Sequence, residues 1–227
     1  MSRNAQMIAL FTDYDRTITD KELELCSQVI DKVIKLRKTR NLKFIVASGR
    51  TLEFLQSKLH DFADGFIAEN GAIIYYNEKK EIFGKNESEQ IKKALNKVKD
   101  MVYFGEVICY ALKDAEPLVR DTLKSQNVNF SIEKNKNSIM VMPQFINKGF
   151  GISRITEAMG LGEVQKIAIG DDENDISMLK MVDLPVALGN SDARLKAIAK
   201  MVTEKEYCDG ALEILEQLNL QANSKLP

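Results

Sequence analysis

Residues 8–19 read IALFTDYDRTIT, an apolar run that ends in two aspartates, Asp13 and Asp15. A continuous apolar run without polar alternation is typical of a strand that is buried on both faces of a sheet. We therefore predict a buried strand over residues 7–12, with the aspartates at its carboxyl end. Asp-x-Asp alone is weak evidence of function, because aspartate is common wherever a strand turns. Its meaning depends on what the rest of the chain brings to the same place.

Further buried strands alternate with helices along most of the chain. Apolar runs predict strands at residues 42–47, 65–68, 73–76, 166–169 and 185–188. Apolar residues at helical spacing predict a helix over residues 22–39, and Thr51 opens a second helix to about His60. This β-α-β-α-β order implies a parallel sheet joined by right-handed crossovers. The predicted fold class is α/β, with a Rossmann-like parallel sheet in the core domain.

The pattern changes in the middle of the chain. There the sequence predicts strands at 81–83, 107–112, 129–133 and 138–142 and helices at 87–100 and 116–125. The last two strands form a predicted hairpin, because alternating residues flank an Asn/Lys turn. This mixture fits a small α+β insertion better than more parallel sheet. We predict an insertion over residues 77–147 into a core formed by residues 1–76 and 148–227.

Composition and charge exclude several classes of protein. The chain has 227 residues and a formal net charge of −1, so no global field draws it to nucleic acid. No apolar run reaches the roughly 18 residues that a membrane helix needs, and we expect a cytoplasmic protein. The three cysteines, Cys26, Cys109 and Cys208, are far apart in the sequence. We predict buried free thiols in a reducing compartment, and neither a disulfide framework nor a zinc site.

Chemically useful side chains collect where predicted strands end. Asp13 and Asp15 follow the first strand, and Ser48 follows the second. Asp171 and Asp175 follow a later strand, in the stretch GDDEND. In an open parallel sheet, the loops beyond the carboxyl ends of the strands form the ligand crevice. Four carboxylates in one crevice repel one another and a divalent cation relieves that repulsion, so these oxygen ligands predict a Mg²⁺ site.

The remaining features suit a phosphate group. Ser48 and the backbone N–H groups around Gly49 lie between a strand end and a helix start, where amide dipoles favour an anion. Lys148 also begins a predicted helix and can supply a positive charge to the same group. Each feature alone has a purely structural interpretation, with Ser48 as an N-cap, Lys148 as a surface lysine and GDDEND as a polar turn. Their occurrence together, in β/α order, favours a phosphate site.

These motifs resemble the haloacid dehalogenase-like (HAD) phosphatases, and their Cof-type subfamily most closely. The matching residues are DYDRT at 13–17, SGR at 48–50, the lone lysine Lys148, GDDENDISM at 170–178 and, as a further Cof-like mark, AENGA at 68–72. The subfamily includes archaeal phosphoglycolate phosphatases and sucrose-phosphatase-like enzymes. The resemblance covers nearly the whole chain, with the motifs in order. It implies that the insertion at 77–147 is an α/β cap.

The resemblance also implies roles for the acidic residues. Asp13 would be the nucleophile that forms an aspartyl-phosphate. Asp15 would protonate the leaving oxygen and then activate the water that hydrolyses the intermediate. Mg²⁺ would be held by the Asp13 carboxylate, the Asp15 main-chain carbonyl and Asp171. Asp175 would bind the ion directly or through water.

The phosphoryl group has its own implied ligands. Ser48 and Lys148 would hold it, with Gly49 and Asn174 assisting. This agrees with the chemistry, because charge that develops on phosphoryl oxygens needs a metal and a lysine more than acid–base groups. Arg16 departs from the family pattern, since members commonly have glycine there. It would gate the metal, add a cation near an anionic substrate or point to solvent beside the cap.

The predicted function is Mg²⁺-dependent hydrolysis of a phosphomonoester through an aspartyl-phosphate. The cap would close over the crevice and choose the leaving group. Its modest size suits a small phosphorylated metabolite. Phosphoglycolate is the first prediction, because chain length and motif spacing resemble the archaeal enzymes, and a sugar phosphate is the second.

Other functional classes agree less well with the sequence. His60 is the single histidine, which excludes a Ser-His-Asp triad and a three-histidine metal site by count. A phosphoacceptor signalling domain shares the acidic Mg²⁺ pocket, but it needs neither the insertion nor a second acid at Asp15. A catalytically inactive binding protein is the other alternative. The intact Asp13, Asp15, Lys148 and Asp171 argue against it.

Overall fold

Two β-sheets organise residues 7–220, the part of the chain that the structure, a computed structural model, describes. The strands are β1 Ile8–Thr12, β2 Leu42–Ala47, β3 Gly65–Ala68, β4 Ile73–Tyr76, β5 Lys79–Ile82, β6 Val102–Phe104, β7 Cys109–Leu112, β8 Ser131–Asn135, β9 Ser138–Met142, β10 Gln165–Gly170, β11 Leu184–Ala187 and β12 Met201–Val202. The α-helices are α1 Ser27–Arg40, α2 Leu52–Leu59, α3 Lys85–Leu95, α4 Glu116–Ser125, α5 Lys148–Ala158, α6 Ile176–Leu179, α7 Ala193–Ile198 and α8 Tyr207–Leu220.

The larger sheet has eight strands in the order β12-β11-β10-β1-β2-β3-β4-β5. The strands from β12 to β3 are parallel, and β4 and β5 continue the sheet in antiparallel pairing. The predicted α/β class with a parallel core sheet is therefore confirmed. Strand β1 lies between β10 and β2. The carboxyl ends of these three strands consequently meet at one edge of the sheet.

Helices cover both faces of the larger sheet. Helices α1, α2 and α8 pack on one face, and α5, α6 and α7 pack on the other. Along β1, Leu10 belongs to the first of these apolar clusters, whereas Ala9 and Phe11 belong to the second. A strand with an apolar layer on each side needs apolar residues at every position, which explains the continuous run. No helix within residues 7–220 has the length and apolar character needed to cross a membrane.

The smaller sheet has four antiparallel strands in the order β6-β7-β9-β8. The predicted hairpin is present as β8 and β9. Helices α3 and α4 cover one face of this sheet with an apolar cluster of their own, which includes Ile91, Val119 and Val141. The opposite face is turned toward the larger sheet, since Met140 and Met142 belong to the apolar cluster around α1 and α2.

The predicted elements that differ from the structure include a strand of the predicted insertion and the first helix, and the strands β6 and β12 were not predicted. The strand predicted at 81–83 is β5, which pairs with β4 in the larger sheet and is not part of the α+β insertion's sheet. Asn77 and Glu78 adopt positive φ angles of 45° and 61°, so the chain turns back directly onto β4. Helix α1 begins later than predicted, because Thr19 bridges to Leu25 before it. Residues 1–6 and 221–227 of the predicted core lie outside the described residues.

Cys26 and Cys208 form a disulfide. The prediction of three free thiols is wrong for this pair, and the inference of a reducing compartment loses its support. Helices α1 and α8 pack side by side and bring together two cysteines that are 182 residues apart in the sequence. Cys109 is free and buried, and its burial raises the pKa of the thiol to about 12.

Candidate active site

The edge of the larger sheet brings the predicted site residues into one crevice. Asp13 follows β1, Ser48 follows β2 and Asp171 follows β10. Lys148 is the first residue of α5, whose N-cap is Asn147. These four residues are at most 6% exposed. Strand order explains this grouping, because β2 and β10 are the two neighbours of β1.

Lys148 lies at the centre of the charged groups. Its Nζ is 2.5 Å from Asp13 Oδ1 and 2.6 Å from Asp175 Oδ1, and its side chain is fully buried. Burial opposes the charged form of the amine, but the attraction of the two carboxylates outweighs it and raises the pKa of Lys148 above its ordinary value. Lys148 is therefore a buried cation of the crevice and not a surface lysine.

The carboxylates of the crevice are held at an electrostatic cost. Burial raises the pKa of Asp13 well above its ordinary value, although the ammonium group of Lys148 opposes that change. Burial and the neighbouring Asp175 carboxylate raise the pKa of Asp171 to about 7. Both shifts have the direction expected of buried acids that share a site with like charges. A bound divalent cation would remove this cost.

Asp175 shapes the loop that carries Asp171. Its Oδ2 accepts the backbone N–H groups of Asp171 and Asp172 at 2.9 and 3.2 Å, while its Oδ1 accepts from Lys148. The loop depends on a small residue, because a Cβ at Gly170 would lie 2.6 Å from the Asp175 carboxylate. Both Asp175 oxygens are thus engaged. This arrangement suits a residue that orients Lys148 and the loop.

Three carboxylates of the crevice fit a divalent cation. Asp13, Asp171 and Asp175 each offer one oxygen, and these oxygens lie within 4.8 Å of one another. Hard oxygen donors with excess negative charge suit Mg²⁺ better than a soft ion. Asn190 fixes one of the donors, since its Nδ2 lies 3.1 Å from Asp171 Oδ2. Asn190 was not predicted as a site residue. The available signal was its place after β11, which ends at the same sheet edge.

Asp15 is held by an arginine of the SGR motif. Arg50 donates through Nη2 to Asp15 Oδ1 at 2.7 Å and through Nε to Asp15 Oδ2 at 3.0 Å. The pKa of Arg50 is raised, first by this hydrogen bonding to Asp15. The guanidinium also lies over the ring of Phe54, 4.8 Å from its centroid. The sequence predicted Arg50 as part of the SGR motif, but it predicted no partner for the guanidinium group.

Two of the predicted phosphate ligands, Ser48 and Gly49, directly precede this arginine, and Asn174 lies in the other loop. Ser48 Oγ accepts the N–H of Arg50 at 3.1 Å, and the N-cap of α2 is Thr51, so the interpretation of Ser48 as an N-cap is wrong. Asn174 is 5% exposed and lies in the 3₁₀ turn Glu173–Asp175. The SGR loop follows β2 and the GDDEND loop follows β10, so both lie at the same edge of the larger sheet.

Gly49 allows the smaller sheet to approach the SGR loop closely. A Cβ at Gly49 would lie 2.6 Å from the sulfur of Met140, on β9. The hydroxyl of Tyr110, on β7, donates to the Gly49 carbonyl at 2.7 Å. Tyr110 and Met140 are neighbours across the two strands. The smaller sheet thus packs directly against the SGR loop.

The stretch AENGA joins the larger sheet to the smaller sheet and the segment before β7. The buried carboxylate of Glu69 accepts three backbone N–H groups, from Glu106 and Val107 at 2.7 Å and from Ile108 at 2.9 Å. Asn70 Nδ2 donates to Glu133 Oε2 on β8 at 2.7 Å. These contacts give a physical role to residues that the sequence marked only by resemblance.

Arg16 occupies a backbone position that favours glycine. Its φ is 59°, in the left-handed region where a side chain is disfavoured. Its N–H donates to Thr19 Oγ1 at 2.7 Å, which holds the turn. Within residues 7–220 its guanidinium makes no ion pair. The residue is partly buried.

Comparison with known proteins agrees with the fold and the motifs. The family model of haloacid dehalogenase-like hydrolases matches residues 10–115 and 87–215. The phosphoglycolate phosphatase of Sulfurisphaera tokodaii is 31% identical over 215 residues, which cover 92% of this chain and 93% of that protein. Phosphoglycolate phosphatase 2 of Saccharolobus solfataricus is 28% identical over 226 residues, which cover 96% of this chain and 95% of that protein.

Solved structures share the fold. Protein 0175 of Thermoplasma acidophilum superposes with a TM-score of 0.81 at 20% identity, over 95% of this chain and 99% of that chain. A sugar phosphatase of HAD subclass IIB, BT4131, superposes with a TM-score of 0.75 at 21% identity, over 93% of this chain and 99% of that chain. At these identities the likeness concerns the fold alone.

Proposed function

The chain belongs to the haloacid dehalogenase-like hydrolases, and on that premise we propose that it is a Mg²⁺-dependent phosphomonoester hydrolase. The observation that carries the proposal is the buried contact of Lys148 with Asp13 and Asp175, beside Asp171. This cluster offers carboxylate oxygens to a cation and an ammonium group to an anion. A phosphate ester with its metal ion needs both at once.

The metal site would be built from oxygen ligands. Asp13 and Asp171 would hold Mg²⁺ with their carboxylates, together with the main-chain carbonyl of Asp15. Asp175, with both oxygens engaged, would act through water. When bound, the ion supplies positive charge that reduces the repulsion between an attacking carboxylate and the phosphoryl oxygens.

The reaction would proceed in two displacements. An Asp13 carboxylate oxygen would attack phosphorus, the bond from phosphorus to the leaving oxygen would break, and Asp15 would give that oxygen a proton. Asp15 would then take a proton from water as the water oxygen attacks phosphorus. That step releases phosphate and restores Asp13.

The phosphoryl oxygens would be held by groups of the same crevice. Lys148 would bind one oxygen, and it lies close enough to Asp13 to orient the nucleophile as well. Ser48, the backbone around Gly49 and Asn174 would complete the set. Fixed donors of this kind stabilise charge without having to reorganise during the reaction.

The first proposed substrate is 2-phosphoglycolate. Relatives of 28% and 31% identity that match over nearly their whole length are named phosphoglycolate phosphatases. A sugar phosphate is the second candidate, because a structural neighbour is described as a sugar phosphatase. The two candidates differ in the charge of the leaving group, which makes them separable by experiment.

We also propose that residues 77–147 form a cap on a core of residues 1–76 and 148–227. The insertion has its own sheet and its own apolar cluster, which supports the division. Strand β5 is the part of this segment that joins the larger sheet. The cap would cover the crevice through β7, β8 and β9.

Release of inorganic phosphate tests the proposal. Wild-type protein is assayed with 2-phosphoglycolate and a panel of sugar phosphates, in Mg²⁺ or in EDTA. We expect Mg²⁺-dependent release, and a loss of at least about a thousandfold in Asp13→Asn. Asp61→Asn, at an exposed aspartate, is the control.

Two results would refute a hydrolase. Wild type that releases phosphate from no member of the panel would do so, and so would full activity in Asp13→Asn. Stable phosphorylation of Asp13 without turnover would favour the phosphoacceptor alternative instead.

A further inference from the structure

The hairpin between β8 and β9 brings a lysine of the insertion to the acidic loop of the crevice. Lys136 Nζ lies 3.5 Å from Asp172 Oδ2 and 3.6 Å from Asp171 Oδ2. Strand β8 packs against the 3₁₀ turn Glu173–Asp175, so this approach is part of the packing of the hairpin. A cation of the insertion therefore lies beside a proposed metal ligand.

A second lysine of the same hairpin has a different environment. Lys134 Nζ lies 3.2 Å from Glu116 Oε2, on helix α4. Glu133, the residue before Lys134 on β8, accepts a hydrogen bond from Asn70 Nδ2, in the turn that follows β3 of the larger sheet. Side chains alternate along a strand, so Lys134 is on the helix-covered face of the small sheet. Of the two hairpin lysines, Lys136 is the one at the crevice.

Lys136 is free to exchange its present partners for a ligand. Its side chain is 41% exposed, and ion pairs of such exposed groups contribute little to stability. Asp171, by contrast, is nearly buried, and under the proposed function its partner is Mg²⁺. Lysine carries its charge on a flexible four-carbon stem, so the ammonium group can follow an anion in the crevice.

The other cations that contact this site are already engaged. Lys148 is fully buried between Asp13 and Asp175. Arg50 gives two donors to Asp15. Two exposed cations contact the acidic loop within residues 7–220. Arg194 gives two donors to the Glu173 carboxylate, at 2.7 and 2.8 Å, whereas Lys136 lies 3.5–3.6 Å from Asp172 and Asp171 and is the one beside a proposed metal ligand. A substrate with a second anionic group would find its counter-charge there.

We propose that Lys136 binds a carboxylate on the leaving group, and that it selects small phosphorylated acids over neutral phosphomonoesters. The inference rests on the proposed function and names the substrate class of that same site. The hairpin of the insertion would discriminate between acidic and neutral substrates, whereas the hydrolytic groups lie at the edge of the larger sheet.

A matched pair of substrates tests this assignment. 2-Phosphoglycolate and 2-hydroxyethyl phosphate have the same length and differ in a carboxylate against a hydroxyl group. We expect Lys136→Gln to lower kcat/KM for 2-phosphoglycolate by about tenfold to hundredfold, the range for a hydrogen bond to a charged group. Its kcat/KM for 2-hydroxyethyl phosphate should change less than about twofold. Lys136→Arg should restore part of the loss, and Lys134→Gln should leave both values unchanged.

Binding without turnover separates this inference from the proposed function. The probes are 3-phosphonopropionate and 3-hydroxypropylphosphonate, which are non-hydrolysable counterparts of the two substrates, in the presence of Mg²⁺. Calorimetry should show a dissociation constant about tenfold or more higher for the carboxylate probe in Lys136→Gln, with little change for the hydroxyl probe. An equal effect on both probes, no effect on either, or no binding by wild type would overturn the role of Lys136. Absence of hydrolysis together with selective binding would refute the hydrolase and leave Lys136 as the carboxylate ligand.

Discussion

Arg50 occupies both carboxylate oxygens of Asp15, with Nη2 2.7 Å from Oδ1 and Nε 3.0 Å from Oδ2. A bidentate arginine fixes the plane of a carboxylate as well as its position. Asp15 is the residue proposed to move protons to the leaving oxygen and from water. Arg50 therefore sets the geometry from which Asp15 would act.

We expect Arg50→Gln to lower kcat/KM for 2-phosphoglycolate by about tenfold or more, because Asp15 loses this fixed orientation. In an Asp15→Asn background the same replacement should add little, since residues that act as a unit are not additive. The measurement is a double-mutant cycle on kcat/KM. Arg120→Gln, which breaks a pair with Glu116 on α4, is the control. An equal loss in both backgrounds would show that Arg50 acts independently of Asp15.

The raised pKa of Asp171 makes the stability of the metal-free protein depend on pH. Its pKa is about 7 in the folded protein, against an ordinary value of 3.8. The folded state thus binds this proton more tightly than the unfolded state does. Stability from this residue is fully present below about pH 4 and is lost as the pH rises toward about 7.

Urea unfolding in EDTA should show this loss. Between about pH 5.5 and about pH 8, Asp171 should lower the free energy of unfolding by about 2 kcal/mol. Asp171→Asn should show a correspondingly smaller decrease over the same interval. Mg²⁺ should raise the melting temperature of wild type more at about pH 8 than at about pH 5.5. Identical pH dependence in wild type and Asp171→Asn would be evidence against the shift.

Glu69 is predicted to hold the insertion onto the larger sheet. Glu69→Gln replaces a carboxylate that accepts three N–H groups with an amide that has one acceptor oxygen. We expect the free energy of unfolding to fall by about 2–3 kcal/mol, because buried donors lose a charged partner. Glu106→Gln removes an exposed carboxylate from the same segment and should have a small effect. Equal stability of the two variants would contradict the role of Glu69.

The disulfide between Cys26 and Cys208 should stabilise the fold by restricting the unfolded chain. A loop that spans 182 residues gains from closure, and we expect removal to cost about 2–5 kcal/mol. Reductant should lower the melting temperature of wild type, whereas Cys26→Ser/Cys208→Ser should be lower already and unaffected by reductant. A thiol titration establishes that the bond is reduced. Unchanged melting of fully reduced wild type would rule out the stabilising role.

The grouping of Asp13, Ser48 and Asp171 could be predicted from the sequence. Each follows a buried run, and parallel strands place their carboxyl ends at one edge, so the sequence predicts a shared edge, although it does not predict that β10 and β2 are the two neighbours of β1. Lys148 could be predicted as a site residue because it begins a helix between the motifs. The left-handed φ of Arg16 gives a backbone reason for the glycine expected there.

Contacts between distant segments could not be predicted from one sequence. The partners of Glu69 are backbone N–H groups at 106–108, and backbone donors leave no trace in residue type. In the sequence, Lys136 looks like any lysine of an exposed turn. Its acidic partners follow only from the way the hairpin packs. The disulfide depends on the packing of α1 against α8, which local periodicity does not encode. We predicted β5 as part of the insertion because the sequence of a strand does not identify the strand with which it pairs. That partner is set by the turn at 77–78.

The central claim is that Asp13 becomes covalently phosphorylated during turnover. The direct measurement is a rapid acid quench during hydrolysis of 2-phosphoglycolate, followed by borohydride reduction and peptide mass spectrometry. Borohydride converts an aspartyl-phosphate to homoserine and leaves a free aspartate unchanged. We predict homoserine at position 13, dependent on substrate and Mg²⁺, with Asp15 and Asp171 unmodified. Rapid turnover with no modified residue, or modification at another aspartate, would contradict the account.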